Sequence, residues 1–179
     1  MDHRIEEILI PKRKIKSGIK KAAKWIDNNY SNTGRDLVLI GLLKGCIPFY
    51  GQLISYVKTD LIMDFMVVSS FKGAEKATGL PEIVTDIYTD IEGKDVLLLE
   101  DIVDSGYTIK YVREYLVKRK PNSIKVLSLL DKKAGRKVDF QPDYYCFDIE
   151  DKFLVGFGLD YQEKLRNLPY IGVFKKVKK

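Results

Sequence analysis

The chain has 179 residues, enough for one domain with its own core, and its 45% hydrophobic and 31% charged residues suit a soluble globular protein. The net charge of +6, with lysines concentrated in residues 12–24 and 175–179, is typical first of a solvated, lysine-rich surface, and it also suits an anionic small substrate or RNA as partner. His3 is the only histidine, which excludes Ser-His-Asp, Cys-His and histidine–metal chemistry, so a general base must be a carboxylate, a lysine or a tyrosine.

The first half of the chain predicts a helix followed by alternating strands and helices. Apolar residues recur at helical spacing over 14–30, which predicts an amphipathic helix. The apolar runs 36–43 and 61–68 are short enough to be buried strands, and Pro48 suits the first turn of a helix between them. Residues 69–82 are polar and without clear period, a composition equally typical of a lid loop and of an exposed hairpin tip.

The second half continues the alternation. Its predicted elements are a strand over 96–99, a helix over 108–118, a strand over 123–130 and shorter strands near 144–147, 153–157 and 170–174. Strand-helix-strand alternation is typical of a parallel α/β sheet, and we expect one domain because no repeat or linker interrupts it.

Composition also bears on location. No signal-peptide pattern opens the chain, and charges interrupt every apolar run before it reaches membrane-spanning length, so we expect a cytoplasmic protein with no membrane partner. Cys46 and Cys146 are expected to be reduced thiols, since nothing in the sequence requires a bridge.

The most informative segment is residues 96–108. An apolar strand ends in Glu100 and Asp101, and a short turn leads into a helix. In parallel sheets, ligands lie at this carboxyl edge. The two carboxylates suit ribose hydroxyls or magnesium, which prefers oxygen ligands, and as neighbours on a strand they point to opposite faces and need not share one role.

The turn itself has the composition of a phosphate cradle. Ser105 and Thr108 offer hydroxyls, Gly106 lets a ligand approach the backbone, and the helix start offers free N–H groups. Asp104 beside a phosphate is unfavourable unless it has a task, and accepting a proton from an incoming nucleophile is such a task. The alternative is an ordinary strand-to-helix turn in which Asp104 or Ser105 caps the helix.

Residues 100–108, Glu-Asp-Ile-Val-Asp-Ser-Gly-Tyr-Thr, resemble the phosphoribosyl-pyrophosphate signature of type I phosphoribosyltransferases. The resemblance implies the α/β fold of that family: a parallel sheet flanked by helices, a flexible catalytic loop, and a small hood from approximately 1–13 and 150–179. It implies that Glu100 and Asp101 meet the ribose hydroxyls or the metal. The residues that it assigns to the 5′-phosphate are Asp104, Ser105, Gly106, Tyr107 and Thr108.

From about residue 4 to residue 174, the chain resembles the hypoxanthine-guanine branch of that family. The sequence Leu43-Lys44-Gly45 resembles the loop that contacts pyrophosphate and often contains a cis peptide, although Cys46 stands where relatives often have Gly or Ser. The sequence Ser69-Ser70-Phe71 resembles the start of the mobile catalytic loop, with phenylalanine where relatives usually carry tyrosine.

Two further segments carry the resemblance to purine-specific members. Lys132 follows a strand and is implied to bond the purine 6-oxo group, which favours hypoxanthine or guanine over adenine. Residues 151–161 resemble the base-binding segment, in which Phe153 stacks on the purine while Lys152 and Leu154 supply backbone contacts.

The end of that segment is implied to serve the metal and the leaving group. Asp160 would meet magnesium or the exocyclic amine of the purine, and Arg166 would reach pyrophosphate as a planar donor fork. The metal ligands implied for Mg²⁺ are Glu100, Asp101 and Asp160.

The resemblance therefore implies a purine-salvage enzyme that transfers 5-phosphoribose from phosphoribosyl pyrophosphate to hypoxanthine or guanine. The products would be IMP or GMP and pyrophosphate, with Asp104 as base, in a homodimer or homotetramer. Two alternatives stay open: an RNA-binding regulator on the same scaffold, and a transferase for another base such as xanthine or a pyrimidine. The basic charge suits the regulator, but residues 151–161 argue against it, so we expect no nucleic-acid partner.

Overall fold

The computed structural model describes residues 1–70 and 81–175. The helices are α1 (Lys12–Tyr30), α2 (Ile47–Ile54) and α3 (Tyr107–Val117), with a turn of 3₁₀ helix at Lys133–Gly135. The strands are β1 (Ile5–Ile10), β2 (Leu37–Leu43), β3 (Ile62–Ser70), β4 (Pro81–Thr85), β5 (Asp95–Val103), β6 (Ser123–Asp131), β7 (Tyr144–Asp148), β8 (Leu154–Val155) and β9 (Ile171–Phe174).

A six-stranded sheet in the order β4-β3-β2-β5-β6-β7 forms the centre of the molecule. The predicted parallel pairing is confirmed for β3, β2, β5, β6 and β7. The edge strand β4 was not predicted, and it pairs antiparallel with β3. Residues 71–80, which separate these two strands in the chain, are too few for the crossover that a parallel neighbour needs.

Helices cover both faces of this sheet. The buried face of α1 and side chains of α2 pack on one face together with Leu97 and Leu99, whereas α3 packs on the other with Val96 and Leu98. Val96 and Leu98 thus face α3 while Leu97 and Leu99 face α1 and α2, and beyond Leu99 the order reverses, with Ile102 on the α1 and α2 side and Val103 on the α3 side. A sheet buried on both faces produces the continuous apolar runs that made its central strands predictable.

The strand β5 is longer than predicted. It continues beyond Leu99 to Val103, and Glu100 lies opposite Ser128 of β6. The interpretation that the strand ends at the two carboxylates is therefore wrong. Glu100 lines a cavity together with Ile109 of α3, whereas Asp101 lies against Gly45 in the loop after β2, and the two neighbouring carboxylates are close enough to interact.

A second sheet, in the order β1-β9-β8, joins the two ends of the chain with antiparallel pairing. β1 was not predicted. The predicted strand over 153–157 shrinks to Leu154–Val155, because Gly156 and Phe157 take positive φ angles of 97° and 50° and turn the chain.

Cys46 and Cys146 are free thiols, as predicted. Within residues 1–70 and 81–175, no helix combines the length and apolar character needed to cross a membrane.

Candidate functional site

Three chain segments meet at the carboxyl edge of β5. A Cβ atom on Gly45 would lie 1.7 Å from Oδ2 of Asp101, and one on Gly158 would lie 1.9 Å from the carbonyl oxygen of Gly45. Any larger residue at position 45 or 158 would place its Cβ atom too close to these oxygens. The loop after β2, the end of β5 and the turn after β8 are therefore in direct contact. The Leu43–Lys44 peptide in this loop is cis, at the place that the resemblance indicated.

Lys44 and Arg166, the two cations predicted to meet pyrophosphate, share one carboxylate. Nζ of Lys44 lies 2.7 Å from Oε2 of Glu163, and Arg166 donates from Nη2 to Oε1 of Glu163 over 3.0 Å. Arg166 also pairs with Asp160 at 2.9 Å and donates to the Gly158 carbonyl over 2.7 Å. Hydrogen bonds from Lys44 and Arg166 lower the pKa of Glu163. Glu163 was missed in the sequence, where it is one exposed acid among many.

Glu100 and Asp101 form a buried acidic pair. Oδ1 of Asp101 accepts a hydrogen bond of 2.7 Å from the Ile102 amide, whereas Oε2 of Glu100 is buried and has no hydrogen-bond partner among the described residues. Burial, followed by the charge of Asp101, raises the pKa of Glu100 well above its usual value, and burial also raises the pKa of Asp101. Such a pair attracts a proton or a cation.

The three carboxylates predicted to hold magnesium do not form a single cluster. Across residues 1–70 and 81–175, no three acidic, histidine or cysteine side chains form a group that could hold a metal ion. Asp160, predicted to meet magnesium or the exocyclic amine of the purine, pairs with Arg166. Since Mg²⁺ is commonly held by one or two carboxylates together with substrate phosphates and water, Glu100 and Asp101 alone are a sufficient protein contribution.

The loop after β5 surrounds a cavity of about 90 Å³. Its lining residues are Glu100, Ile102, Val103, Asp104, Ser105, Gly106, Thr108 and Ile109. Tyr107, also assigned to the phosphate, does not line it and is half exposed. The alternative that Asp104 or Ser105 caps α3 is wrong: the N-cap is Gly106, whose φ of 84° favours glycine.

Asp104 and Lys132, which the sequence predicted separately, form an ion pair. Nζ of Lys132 lies 3.3 Å from Oδ2 of Asp104 and 2.8 Å from Oδ1 of Asp151, and the lysine side chain is only 13% exposed. Burial alone would lower the pKa of Lys132, but the hydrogen bond to Asp151 and the charge of Asp104 outweigh burial and raise it. Asp151 was not singled out in the sequence.

Phe153 is placed as a platform rather than as a core side chain. It is 51% exposed, and its ring makes edge contacts with Tyr161 and Phe174 at centroid distances of 6.0 Å and 5.8 Å. An exposed aromatic ring supported by other rings can stack on a planar ligand.

The two residues beside Phe153 differ in their surroundings. Leu154 is buried in β8, where it pairs with Val173 of β9. Lys152 extends its side chain to Glu7 of β1, with 2.8 Å between Nζ and Oε1. The prediction assigned only the backbone of these two residues to the purine, and it remains a prediction.

Arg136 is a residue of this region that the sequence did not reveal. Its guanidinium donates to the carbonyl oxygens of Asp104 (2.9 Å), Val103 (3.2 Å) and Phe140, and to Oδ1 of Asp131. Asp131 is fully buried. A buried acid at the end of a strand requires a counter-ion. Asp131 could therefore have indicated from the sequence that a nearby cation such as Arg136 pairs with it.

The predicted lid over residues 69–82 falls largely outside the described residues. Ser69 and Ser70 belong to β3 and pair with Glu82 and Pro81 of β4, so both ends of the predicted loop are strand, while 71–80, including Phe71, lie outside the described residues.

Comparison with known proteins gives consistent matches over nearly the whole chain. The family described as "Phosphoribosyl transferase domain" matches residues 6–162. A hypoxanthine-guanine phosphoribosyltransferase of Bacillus subtilis is 45% identical over 175 residues, covering 98% of this chain and 96% of the relative. One of Streptococcus thermophilus is 44% identical over 172 residues, covering 96% and 94%. A crystal structure of a hypoxanthine phosphoribosyltransferase of Staphylococcus aureus superposes with a TM-score of 0.90 at 42% identity, covering 96% of this chain and 92% of that one.

Proposed function

The chain belongs to the phosphoribosyltransferase family, on its hypoxanthine-guanine branch, and from this premise we propose that it transfers 5-phosphoribose from phosphoribosyl pyrophosphate to hypoxanthine or guanine. The products are IMP or GMP and pyrophosphate. The observation that carries the proposal is the position of the Asp104–Lys132 ion pair beside the cavity of the loop after β5. Phosphate, sugar and base sites thus adjoin one another.

The donor is bound through its two phosphate ends. Its 5′-phosphate occupies the cavity, where Asp104, Ser105, Gly106 and Thr108 are the residues assigned to it. Its pyrophosphate meets Lys44 and Arg166, which are close enough to share Glu163. The acidic pair Glu100 and Asp101 contacts the ribose hydroxyls and holds Mg²⁺. When bound there, Mg²⁺ supplies positive charge that stabilises the departing pyrophosphate.

The purine is recognised by a ring and a cation. Phe153 stacks on one face of the base, and Lys132 donates a hydrogen bond to the 6-oxo group. Because Asp104 and Asp151 keep Lys132 charged, its ammonium is a donor only, which suits the oxo group of hypoxanthine or guanine and not the amino group of adenine. Asp160 is the candidate acceptor for the exocyclic amine of guanine.

During transfer, the bond from C1′ to the pyrophosphate oxygen breaks and its electron pair leaves with pyrophosphate, while a purine ring nitrogen supplies the pair for the new bond to C1′. Asp104 accepts, or holds, the N7 proton of the purine. Its carboxylate is fixed for this task by Lys132, 3.3 Å away, and by Gly135, where a Cβ would lie 1.6 Å from Oδ1. Residues 69–82 are proposed to close over the reacting carbon and exclude water.

We propose that the small sheet, with approximately 1–13 and 150–179, forms a hood over the site. We also propose that the protein is cytoplasmic. A homodimer or homotetramer is supported by a nearly apolar groove between α2 and β3, where Ile47 and Met63 are about half exposed.

A steady-state assay with the ribose donor, Mg²⁺ and a panel of bases tests the function. Hypoxanthine and guanine should be converted, whereas adenine and the pyrimidines should not. Conversion of xanthine would widen the proposed specificity. Inactivity with every base would overturn the proposal and favour the RNA-binding regulator, whose RNA affinity would fall steeply with salt.

A further inference from the structure

The segment 132–137, which we term the brace, contacts the loop after β5 along its backbone. The carbonyl oxygens of residues 103–105 accept, in order, hydrogen bonds from the Lys132 amide, from Nε of Arg136 and from the Lys137 amide, each over 2.9 Å. Three consecutive carbonyl groups are therefore directed to the same side of the loop.

The direction of these carbonyl groups fixes the direction of the amides. In a trans peptide, the C=O and N–H bonds of one unit point in opposite directions, and Leu43–Lys44 is the only cis peptide within the described residues. The N–H groups of residues 104–106 therefore point away from the brace. The cavity lies on that side, since residues 103–106 line it and no brace residue does. A row of amides directed at one cavity is an anion site.

The side chain of Arg136 holds the backbone of this loop through two hydrogen bonds. Besides the Asp104 carbonyl it bonds the Val103 carbonyl, and its charge is paired with the fully buried Asp131. The planar guanidinium fork can donate to several acceptors with fixed angles, which a lysine ammonium on its flexible stem cannot reproduce. The side chain is 13% exposed, so little water is available to replace it.

We propose that Arg136 is a positioning residue that builds the phosphate cradle from behind: it holds the peptide planes of residues 103–105 so that the amides of residues 104–106 point at the 5′-phosphate. The identity of this anion rests on the function proposed above. It follows that Arg136 controls the affinity of ligands that carry a 5′-phosphate, whereas pyrophosphate, bound by Lys44 and Arg166, is unaffected.

Calorimetric titration of the full chain with IMP, inosine and pyrophosphate, in the presence of Mg²⁺, tests this inference. In Arg136→Gln, IMP affinity should fall by roughly 10- to 100-fold, in the range of a lost charged hydrogen-bond network. Affinities for inosine and pyrophosphate should stay unchanged, so the ratio of IMP to inosine affinity falls. In kinetics, KM for the ribose donor should rise while KM for hypoxanthine does not.

Two further variants keep the test decisive. Arg136→Lys retains the charge beside Asp131 and should fold even where the glutamine variant does not; it should recover only part of the IMP affinity, because it lacks the fork. Arg119→Gln is the matched control, since Arg119 of α3 is likewise held by a carboxylate, Asp86, but contacts no brace residue. It should leave the affinity ratio at the wild-type value.

Equal losses for IMP, inosine and pyrophosphate in a folded Arg136 variant would overturn the inference, because they would indicate general damage to the fold. An unchanged IMP affinity would overturn it as well. If the wild-type protein itself bound IMP no better than inosine, the fault would lie with the proposed function.

Discussion

The two ends of strand β5 carry carboxylates in opposite circumstances. Asp95 at its start is buried and accepts hydrogen bonds from Asn122 (2.6 Å) and Ser123 (2.5 Å). Burial on its own would raise the pKa of Asp95, but these hydrogen bonds outweigh it and lower the pKa. Near the other end, burial raises the pKa of both Glu100 and Asp101, and one oxygen of Glu100 has no partner among the described residues.

Asp27, at the same amino edge of the sheet as Asp95, has the same character. It accepts hydrogen bonds from the amides of Lys58 and Thr59 and from the Thr59 hydroxyl, and its pKa is lowered despite burial. Acids whose oxygens accept hydrogen bonds from the chain itself, such as Asp95 and Asp27, stabilise the fold. Acids at the carboxyl edge that have too few hydrogen-bond donors within the chain are available to a ligand.

The largest effect that this comparison predicts is at the carboxyl edge. Asp104→Asn removes the proposed base, so turnover should fall by roughly 10²- to 10⁴-fold. Binding of the ribose donor should be largely preserved, because the cradle uses backbone amides. Single-turnover rates and donor titration check the two halves of this prediction, and near-normal turnover would refute the assignment of Asp104 as base.

The second effect separates the base site from the donor site. Lys132→Ala should raise KM for hypoxanthine by roughly 10- to 100-fold through loss of a charged hydrogen bond to the 6-oxo group. Lys133→Ala is the control, since the neighbouring lysine pairs with Asp148 at the surface. A change confined to donor binding in Lys132→Ala would show that Lys132 is wrongly assigned.

A smaller effect contrasts the two ends of β5 directly. Asp95→Ala removes the buried acceptor of two hydrogen bonds, from the exposed Asn122 and the partly buried Ser123, and should lower the free energy of unfolding by about 1–3 kcal/mol. Turnover per folded molecule should stay at the wild-type level. Glu100→Gln should do the reverse, retaining or raising stability while weakening donor binding with Mg²⁺. Denaturant titration and kinetics of both variants give the comparison, which fails if both lose the same property.

The stability that Asp95 contributes should depend on pH and should decrease on acidification. A lowered pKa in the folded state means that Asp95 contributes its stability above the ordinary pKa of 3.8, and that this contribution disappears as the pH falls through the lowered value. The stability difference between wild type and Asp95→Ala should therefore shrink on acidification. A difference independent of pH down to the acid transition would contradict the charge-based explanation.

Much of the sheet was predictable, because strands buried on both faces appear as unbroken apolar runs such as 37–43 and 95–99. The turn from β5 into α3 was predictable from its short polar residues and from Gly106, which is the N-cap of the helix. The strands β1 and β4 were not, because each is short and carries outward-facing charged or polar residues that resemble a loop.

The pairings that organise the site were invisible for a different reason. Arg136 lies within a lysine-rich stretch typical of a solvated surface, and its partner Asp131 ends an apolar strand. Lys44 and Glu163 are 119 positions apart. Which charges meet depends on how distant segments are folded together, and no local pattern in one sequence records that information.

Glu163 is a carboxylate of the same chain that would compete with a ligand at the proposed pyrophosphate site. Its two oxygens pair with Lys44 and Arg166, in exposed ion pairs that are individually weak and readily exchanged. A pyrophosphate that binds these cations must displace a carboxylate tethered to the same chain, whose effective concentration does not fall on dilution. The same tether would then speed the departure of the product, since each release step has a replacement anion within reach.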